Sequence, residues 1–290
     1  MKQLLYFLKR ALSVAIFTLL LVACGSGSEE LVAVEEDIVV EEDKAIDNEE
    51  TDINISIAES TRQLNDTGII LASGAECIAA NQQDCTQGRD AQALASTLNK
   101  IGAGNAGFDF TKIDHNGIAL AAETAEWACV KDNHTGLIWE VKAIEGLHAQ
   151  GDTYTWYAED FNNSGPQGLQ DNTLAQCFSY DVSNASSYCN TEAFVARVNA
   201  EALCGAQDWR LPSRSELLSL VDYGQTVAPA IDTHYFPYTQ STYYWTTSFS
   251  ARVDEQVWNI SFDSGQVSDS PELIIEAITN PQVTKSVRLV

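Results

Sequence analysis

Seven cysteines are the residues of this chain whose type and spacing could support chemistry. The first of them, Cys24, closes an apolar run that follows three basic residues among the first ten. Basic residues hold the start of such a chain on the cytoplasmic side while the apolar run enters the bilayer, and small Ala23 fits a peptidase cleavage site. The pattern predicts that residues 1–23 are a lipoprotein signal peptide and that Cys24 is lipidated. An ordinary secretory signal with a chance cysteine is the alternative, and both interpretations predict export.

The other six cysteines would then lie in an oxidising compartment, where disulfides are favoured over free thiols. Sequence alone does not choose among the pairings that six cysteines allow. We favour two short local bonds and one long bond. These are Cys77–Cys85, Cys177–Cys189 and Cys129–Cys204. A zinc site is disfavoured because no pair has CxxC spacing and the four histidines are scattered singly.

Residues 24–60 form an acidic segment, with 13 acidic residues between Glu29 and Ser60 against Lys44 alone. Such a segment cannot bury enough apolar surface to offset its ordering entropy, and its charges repel one another. We expect a disordered tether that lifts a domain off the lipid surface. Because Gly25 and Ser26 follow Cys24 without an aspartate, we expect the anchor to lie in the outer membrane.

Residues 61–290 are long enough for one substantial core and are predicted to form a single domain. Their net charge is −16, which remains when the signal's +3 and the tether's −12 are taken from the total of −25. A strongly anionic surface disfavours nucleic acid and sulfated polysaccharide. Neutral glycans, cations and basic protein patches remain open as ligands.

Periodicity and capping signals predict three helices and several strands in this domain. The first helix starts from Asp90 as N-cap, the second from Thr191, and the third from a capping box of Ser213 and Glu216. The predicted helices cover residues 90–100, 191–203 and 214–222. The predicted strands cover residues 136–141, 153–157, 243–248, 256–262 and 286–290.

Five blocks of sequence together carry a family resemblance. They are residues 84–90 (DCTQGRD), 107–112 (GFDFTK), 129–140 (CVKDNHTGLIWE), 208–217 (DWRLPSRSEL) and 287–290 (VRLV). In this order they resemble the C-terminal domain of Legionella collagen-like adhesins, a domain that recurs in many bacterial lipoproteins. The resemblance implies adhesion through sulfated polysaccharide, but the net charge of −16 argues against transferring that ligand to this chain.

The stretch from Trp209 to Ser213 also resembles a motif of formylglycine-generating-enzyme-like and other C-type-lectin-like domains. This second resemblance implies an α+β fold with a mostly antiparallel sheet, two to three helices and long loops. It further implies that the first and last strands, 137–141 and 286–290, pair in one sheet, with the disulfides as staples.

Two stretches are candidates for ligand binding. The first concentrates carboxylate and amide oxygens among glycines, as a calcium loop would, although a solvated loop has the same composition. Its candidate ligands are Asp160, Asn162, Asn163, Asp171 and Asn172. The second stretch is dense in aromatic residues that could stack on a sugar ring or a partner side chain, or that could belong to the core. Its candidates are Tyr243, Tyr244 and Trp245.

No catalytic motif identifies a reaction, because the chain has no GxSxG, no HExxH, no phosphate loop and no dinucleotide fingerprint. We therefore expect a non-enzymatic, lipid-anchored recognition domain that binds a glycan or a surface protein and needs no cofactor, with calcium as the open alternative. The other hypotheses are an envelope enzyme with an unrecognised site and a structural partner of another exported protein.

Overall fold

Two small antiparallel sheets, three short α-helices and three single-turn 3₁₀ helices make up the regular structure in the described part of the chain. The computed structural model describes residues 63–70, 84–159, 167–171, 174–249, 257–263, 267–269 and 284–290. These residues all fall within one compact unit, Glu59–Val290. The predicted α+β class is confirmed. Within the described ranges no helix is long and apolar enough to cross a membrane.

The first sheet has the order β1-β2-β3 and is formed by Phe110–Ile113, Cys129–Asp132 and Ile138–Glu140. The third strand falls within the predicted range 136–141. Between β2 and β3 the chain makes a tight turn, in which Oδ1 of Asp132 accepts hydrogen bonds from the backbone of His134 and Thr135. Gly136 follows at φ +76°, a left-handed conformation that glycine adopts without strain.

The second sheet has the order β4-β5-β6 and is formed by Tyr243–Phe249, Val257–Ser261 and Val267–Asp269. Two of these strands fall where the sequence predicts them. The segment 153–157, also predicted as a strand, forms only isolated bridges. Tyr154 pairs with Lys285, Thr155 with Asn190, and Tyr157 with Gly168. Because each residue pairs with a different segment, no ladder develops.

The first helix, α1, runs Gly88–Leu94, which is shorter than predicted, and its N-cap is Gln87. The prediction that Asp90 caps this helix is wrong, because Asp90 lies inside it and is fully buried. Its carboxylate accepts hydrogen bonds of 2.7 Å from the backbone N–H groups of Gly68 and Gly107. Asp90 therefore joins two separate loops to α1 and does not cap its own helix.

The second helix, α2, runs Thr191–Glu201, and its N-cap is Asn190, whose side chain accepts from Ala193 N–H. Thr191 was predicted as the cap, but its hydroxyl instead donates to the carbonyl of Tyr157 and accepts from the N–H of the same residue.

The third helix, α3, runs Arg214–Leu218 and begins with the predicted capping box of Ser213 and Glu216. Arg210 reinforces this cap through two hydrogen bonds of 2.8 and 2.7 Å to the Glu216 carboxylate. Hydrogen bonding to Arg210 holds the pKa of Glu216 at about 2 although burial opposes the shift.

Two disulfides link the described segments, Cys129–Cys204 and Cys177–Cys189. Both are among the pairings that we favoured from the sequence. Cys85 is also disulfide-bonded, and its proposed partner Cys77 lies outside the described residues.

The C-terminal segment, residues 286–290, is buried between the two sheets but is not a regular strand. Glu140 N–H donates to the carbonyl of Leu289, so the predicted contact with β3 exists. The ladder stops there because the N–H of Leu289 is taken by the Glu140 carboxylate at 3.0 Å. Farther along, Val290 exchanges two backbone hydrogen bonds with Arg210. The segment therefore ties several elements together, and the more specific C-type-lectin-like topology stays a prediction.

Candidate ligand-binding cleft

A cleft of about 1540 Å³ opens beside β1. Five segments surround it, formed by residues 68–70, 103–105, 122–127, 223–226 and 232–235. Its lining combines aromatic rings with amide, hydroxyl and carboxylate groups. A volume of this size is large enough for a ligand of several sugar units or a short peptide.

Buried carboxylates fix the loops around the cleft. The carboxylate of Asp222 accepts from Gly224 N–H at 2.9 Å, from the Asn105 side chain at 2.8 Å and from the Gln225 side chain at 2.7 Å. Asp232 accepts from the backbone N–H groups of Asn105 and His234, both at 3.0 Å. The two bonds from Asn105 join the loop at 103–105 to the segments that carry Asp222 and Asp232, and the other three are local. Together they hold the polar side chains at the cleft before a ligand arrives.

Lys112 and Trp127 form the floor of the cleft. The Lys112 ammonium lies 3.5 Å from the centroid of the Trp127 ring and donates to the carbonyl of Thr124 at 2.8 Å. The indole N–H of Trp127 donates to the carbonyl of Tyr235 at 3.0 Å, which fixes the ring. Lys112 is only 6% exposed, and this burial lowers its pKa, although Glu123 and Asp232 oppose the shift. The floor thus combines a donor with a held aromatic ring.

A buried charge cluster lies deeper in the domain and centres on Glu140, which has no exposed surface. One of its carboxylate oxygens, Oε1, lies 2.8 Å from Lys142 Nζ and 2.9 Å from His148 Nδ1. Its backbone carbonyl accepts from Arg288 Nη1 at 2.6 Å. Burial raises the pKa of Glu140, but Lys142 and His148 outweigh this effect and hold it at about 2. The cluster joins β3 to the C-terminal segment.

The predicted aromatic candidates do not form an open ligand surface. Tyr244 and Trp245 are 1% and 2% exposed. Trp245 donates its indole N–H to the carbonyl of Tyr154, and the Tyr244 hydroxyl accepts from Gln240 N–H. Tyr243 is half-buried, and the ammonium of Lys285 lies 4.6 Å from its ring centroid. Because Trp245 packs in one hydrophobic core and Tyr244 in another, both faces of β4 are covered.

Only one of the predicted calcium ligands, Asp171, is among the described residues, and its carboxylate is bonded by the Tyr180 hydroxyl at 3.0 and 3.2 Å. Across the described ranges no group of three or more His, Cys, Asp or Glu side chains is arranged to hold a metal ion. The other candidates lie outside the described residues, as does the lipidation candidate. They are Asp160, Asn162, Asn163, Asn172 and Cys24.

The cleft residues were missed from the sequence. A single tryptophan such as Trp127 does not by itself indicate a binding site. Lys112 lies in a strand that we did not predict from the sequence. The Asp-Tyr-Gly stretch at 222–224 is a turn signal that could have marked a loop, but not the cleft that this loop borders.

A scan against protein families matches the model of the Lcl C-terminal domain to residues 128–287. The match covers more than half of the 290 residues, and the chain belongs to this family. Proteins of this family are surface-exposed and adhesin-like. Neither the search of curated proteins nor the search of solved structures found a match. The matched region begins just after Trp127, so the cleft is lined both by family residues and by residues that precede them.

Proposed function

We propose that this chain is an outer-membrane lipoprotein that displays a non-catalytic recognition domain for a neutral glycan, and that the glycan binds in the cleft beside β1. The observation that supports this proposal is the lining of the cleft, where aromatic rings stand beside amide and carboxylate groups held by hydrogen bonds. Sugar rings present apolar faces to aromatic side chains and hydroxyl groups to fixed polar partners.

Charge favours a neutral ligand. The one ammonium at the floor, Lys112, is balanced by Glu123 and Asp232, which both act on its pKa. The domain as a whole carries −16. A sulfated chain would approach against this field, whereas the hydroxyl groups of a neutral glycan could accept from Lys112 and donate to the carboxylates.

A binding comparison tests the ligand class. The Cys24→Ser chain is applied to an array that pairs neutral glycans with sulfated forms of the same backbone. Tyr223, exposed at the cleft, is replaced by alanine, and exposed Val227 nearby in the same loop serves as the matched control. We expect neutral glycans to bind, Tyr223→Ala to weaken binding about fivefold, and Val227→Ala to have no effect. Binding of sulfated forms alone would contradict the proposal, and cleavage of a bound glycan would favour the enzyme hypothesis.

The lipid anchor is tested separately. Replacing Cys24 by serine should abolish the incorporation of radiolabelled palmitate into the protein, because Cys24 is the proposed site of acylation. Ser26→Ala is the matched control and should still be labelled. A Cys24→Ser protein that is labelled like the wild type would contradict the assignment.

A further inference from the structure

A second, smaller cavity of about 410 Å³ lies next to the cleft. Ala125 and Trp127 line both, so the chain segment that carries them separates the two spaces. The inner walls of the small cavity are apolar and buried, and they include Ala128, Val141 and Leu203. Its volume lies within the range of small-molecule sites.

Two nitrogen-bearing side chains, Lys142 and His148, also line this apolar space. The Lys142 side chain is 2% exposed and that of His148 is 14% exposed. Both reach the same oxygen of Glu140, so one carboxylate oxygen serves two donors. An ammonium has three N–H groups, and Glu140 accepts only one of those of Lys142. Lys142 also faces the ring of Phe194 at 4.9 Å.

His148 has a second nitrogen that Glu140 does not use. Its Nε2 is buried and makes no hydrogen bond within the described part of the chain. The carboxylate of Glu201 lies 3.4 Å away, but it is on a half-exposed side chain and makes only an ion-pair contact. A buried polar nitrogen without a hydrogen bond is costly, and a ligand oxygen would remove that cost.

The mouth of the cavity has different chemistry. Ile144 and Tyr238 are exposed there at 67% and 45%, and the carboxylates of Glu126 and Glu145 lie on the same rim. Acidic groups at the mouth disfavour phosphate or sulfate, which carry several negative charges. A ligand with a single carboxylate on an apolar body carries only one negative charge, so the acidic rim repels it less. Inside the cavity its carboxylate is attracted to Lys142.

We propose that this cavity binds a monocarboxylate with an apolar body, with its carboxylate accepting from Lys142 and from His148 Nε2. In the bound state the imidazole donates to Glu140 through Nδ1 and to the ligand through Nε2. The apolar body lies against Trp127 and Leu203 and extends towards Ile144. Two kinds of ligand present a single carboxylate on an apolar group. They are a free aryl or alkyl acid and the C-terminus of a peptide with an apolar last residue. This site does not depend on glycan binding in the cleft.

The test uses the Cys24→Ser chain and phenylpropionate, with phenylpropionamide as its uncharged match. Isothermal titration calorimetry should show that the acid binds about tenfold more tightly than the amide, because only the acid makes charge-assisted hydrogen bonds. A peptide that ends in leucine, compared with its C-terminal amide, identifies the source. Binding of the free peptide assigns the site to peptide termini, and binding of phenylpropionate alone assigns it to free acids.

Variants locate the binding. His148→Asn keeps a donor near Glu140 and removes Nε2, and it should weaken the acid about fivefold but leave the amide unchanged. Ile144→Asp puts a charge on the exposed rim, so it should repel the acid without disturbing the fold. Ile101→Asp is the control, since Ile101 is 83% exposed elsewhere. Equal affinity for acid and amide, or equal effects of Ile144→Asp and Ile101→Asp, would overturn the proposal. Tyr223→Ala should change glycan binding only, which separates the two sites.

Discussion

Replacing Glu140 by glutamine should destabilise the domain strongly, because the substitution leaves the buried ammonium of Lys142 without its anion. The carboxylate accepts from Lys142 at 2.8 Å, from His148 at 2.9 Å and from Leu289 N–H at 3.0 Å. Glutamine has nearly the same shape and can still accept from Leu289. Its amide nitrogen, however, would face Lys142 and His148 as another donor, so the ammonium would stay buried without a counter-charge.

The structure gives the size of the effect. The pKa of Glu140 falls from 4.5 to about 2 on folding, which corresponds to about 3 kcal/mol of stabilisation near neutral pH. Breaking a buried ion pair by removal of one partner costs about 3–5 kcal/mol, in agreement. For a domain of this size, a loss of about 3 kcal/mol lowers the melting temperature by roughly 10 °C.

The sign of the pH dependence follows from the lowered pKa. Stabilisation by Glu140 is fully present above pH 4.5 and is lost as the pH falls towards 2. The wild-type chain should therefore lose this part of its stability in that window, whereas Glu140→Gln should not lose it. The free energy of unfolding, measured in urea at several pH values, separates this contribution from those of other carboxylates.

Two further variants make the test specific. Exposed Glu145 lies nearby, so Glu145→Gln should change stability by less than about 0.5 kcal/mol. The double variant Glu140→Gln/Lys142→Met removes the buried ammonium as well and should recover part of the loss. A Glu140→Gln chain within about 1 kcal/mol of wild type, or a double variant no more stable than the single one, would refute the reasoning.

Three other changes test the framework of the domain. Replacing Cys129 and Cys204 together by alanine should cost about 4 kcal/mol in urea unfolding, because their bond closes a separation of 75 residues; an unchanged midpoint would argue against this role. Ser213→Ala should cost about 1 kcal/mol by removing the cap of α3, while exposed Ser215→Ala should not, and equal effects would rule the cap out. Deletion of residues 286–290 should prevent cooperative folding, as judged by near-UV circular dichroism, since this segment is buried; a truncated chain that melts like the full one would contradict it.

Local signals in the sequence were sufficient for part of the fold. The capping box at Ser213 needs only residues three apart, and the structure has it as predicted. The turn after Asp132 is equally local. Asp90 has the residue type and position of an N-cap, but its carboxylate bonds to Gly68 and Gly107, and no sequence rule reveals such distant partners. Because Asp90 is buried, its carboxylate connects distant segments and does not cap its own helix.

The candidate sites depend on tertiary contacts, which the alternation of side chains along a strand does not predict. Period two predicts that one of Tyr244 and Trp245 faces solvent. Both are buried because β4 lies between two hydrophobic cores. Conversely, a lysine such as Lys112 would be expected at the surface. It packs on Trp127 instead, and Trp127 lies just before the start of β2. The cleft is therefore a product of tertiary packing.

The buried cluster at Glu140 is connected through β3 and β2 to the chain segment that borders both cavities. Glu140 holds the C-terminal segment, and its strand β3 pairs with β2, where Cys129 lies opposite Glu140. The chain enters β2 two residues after Trp127, which together with Ala125 lines both spaces. A change at Glu140 should thus reach the floor of the cleft through β2, although Glu140 does not line it. Weaker glycan binding by a folded Glu140→Gln chain would support this coupling, and an unchanged glycan affinity would show that the cluster does not influence the cleft.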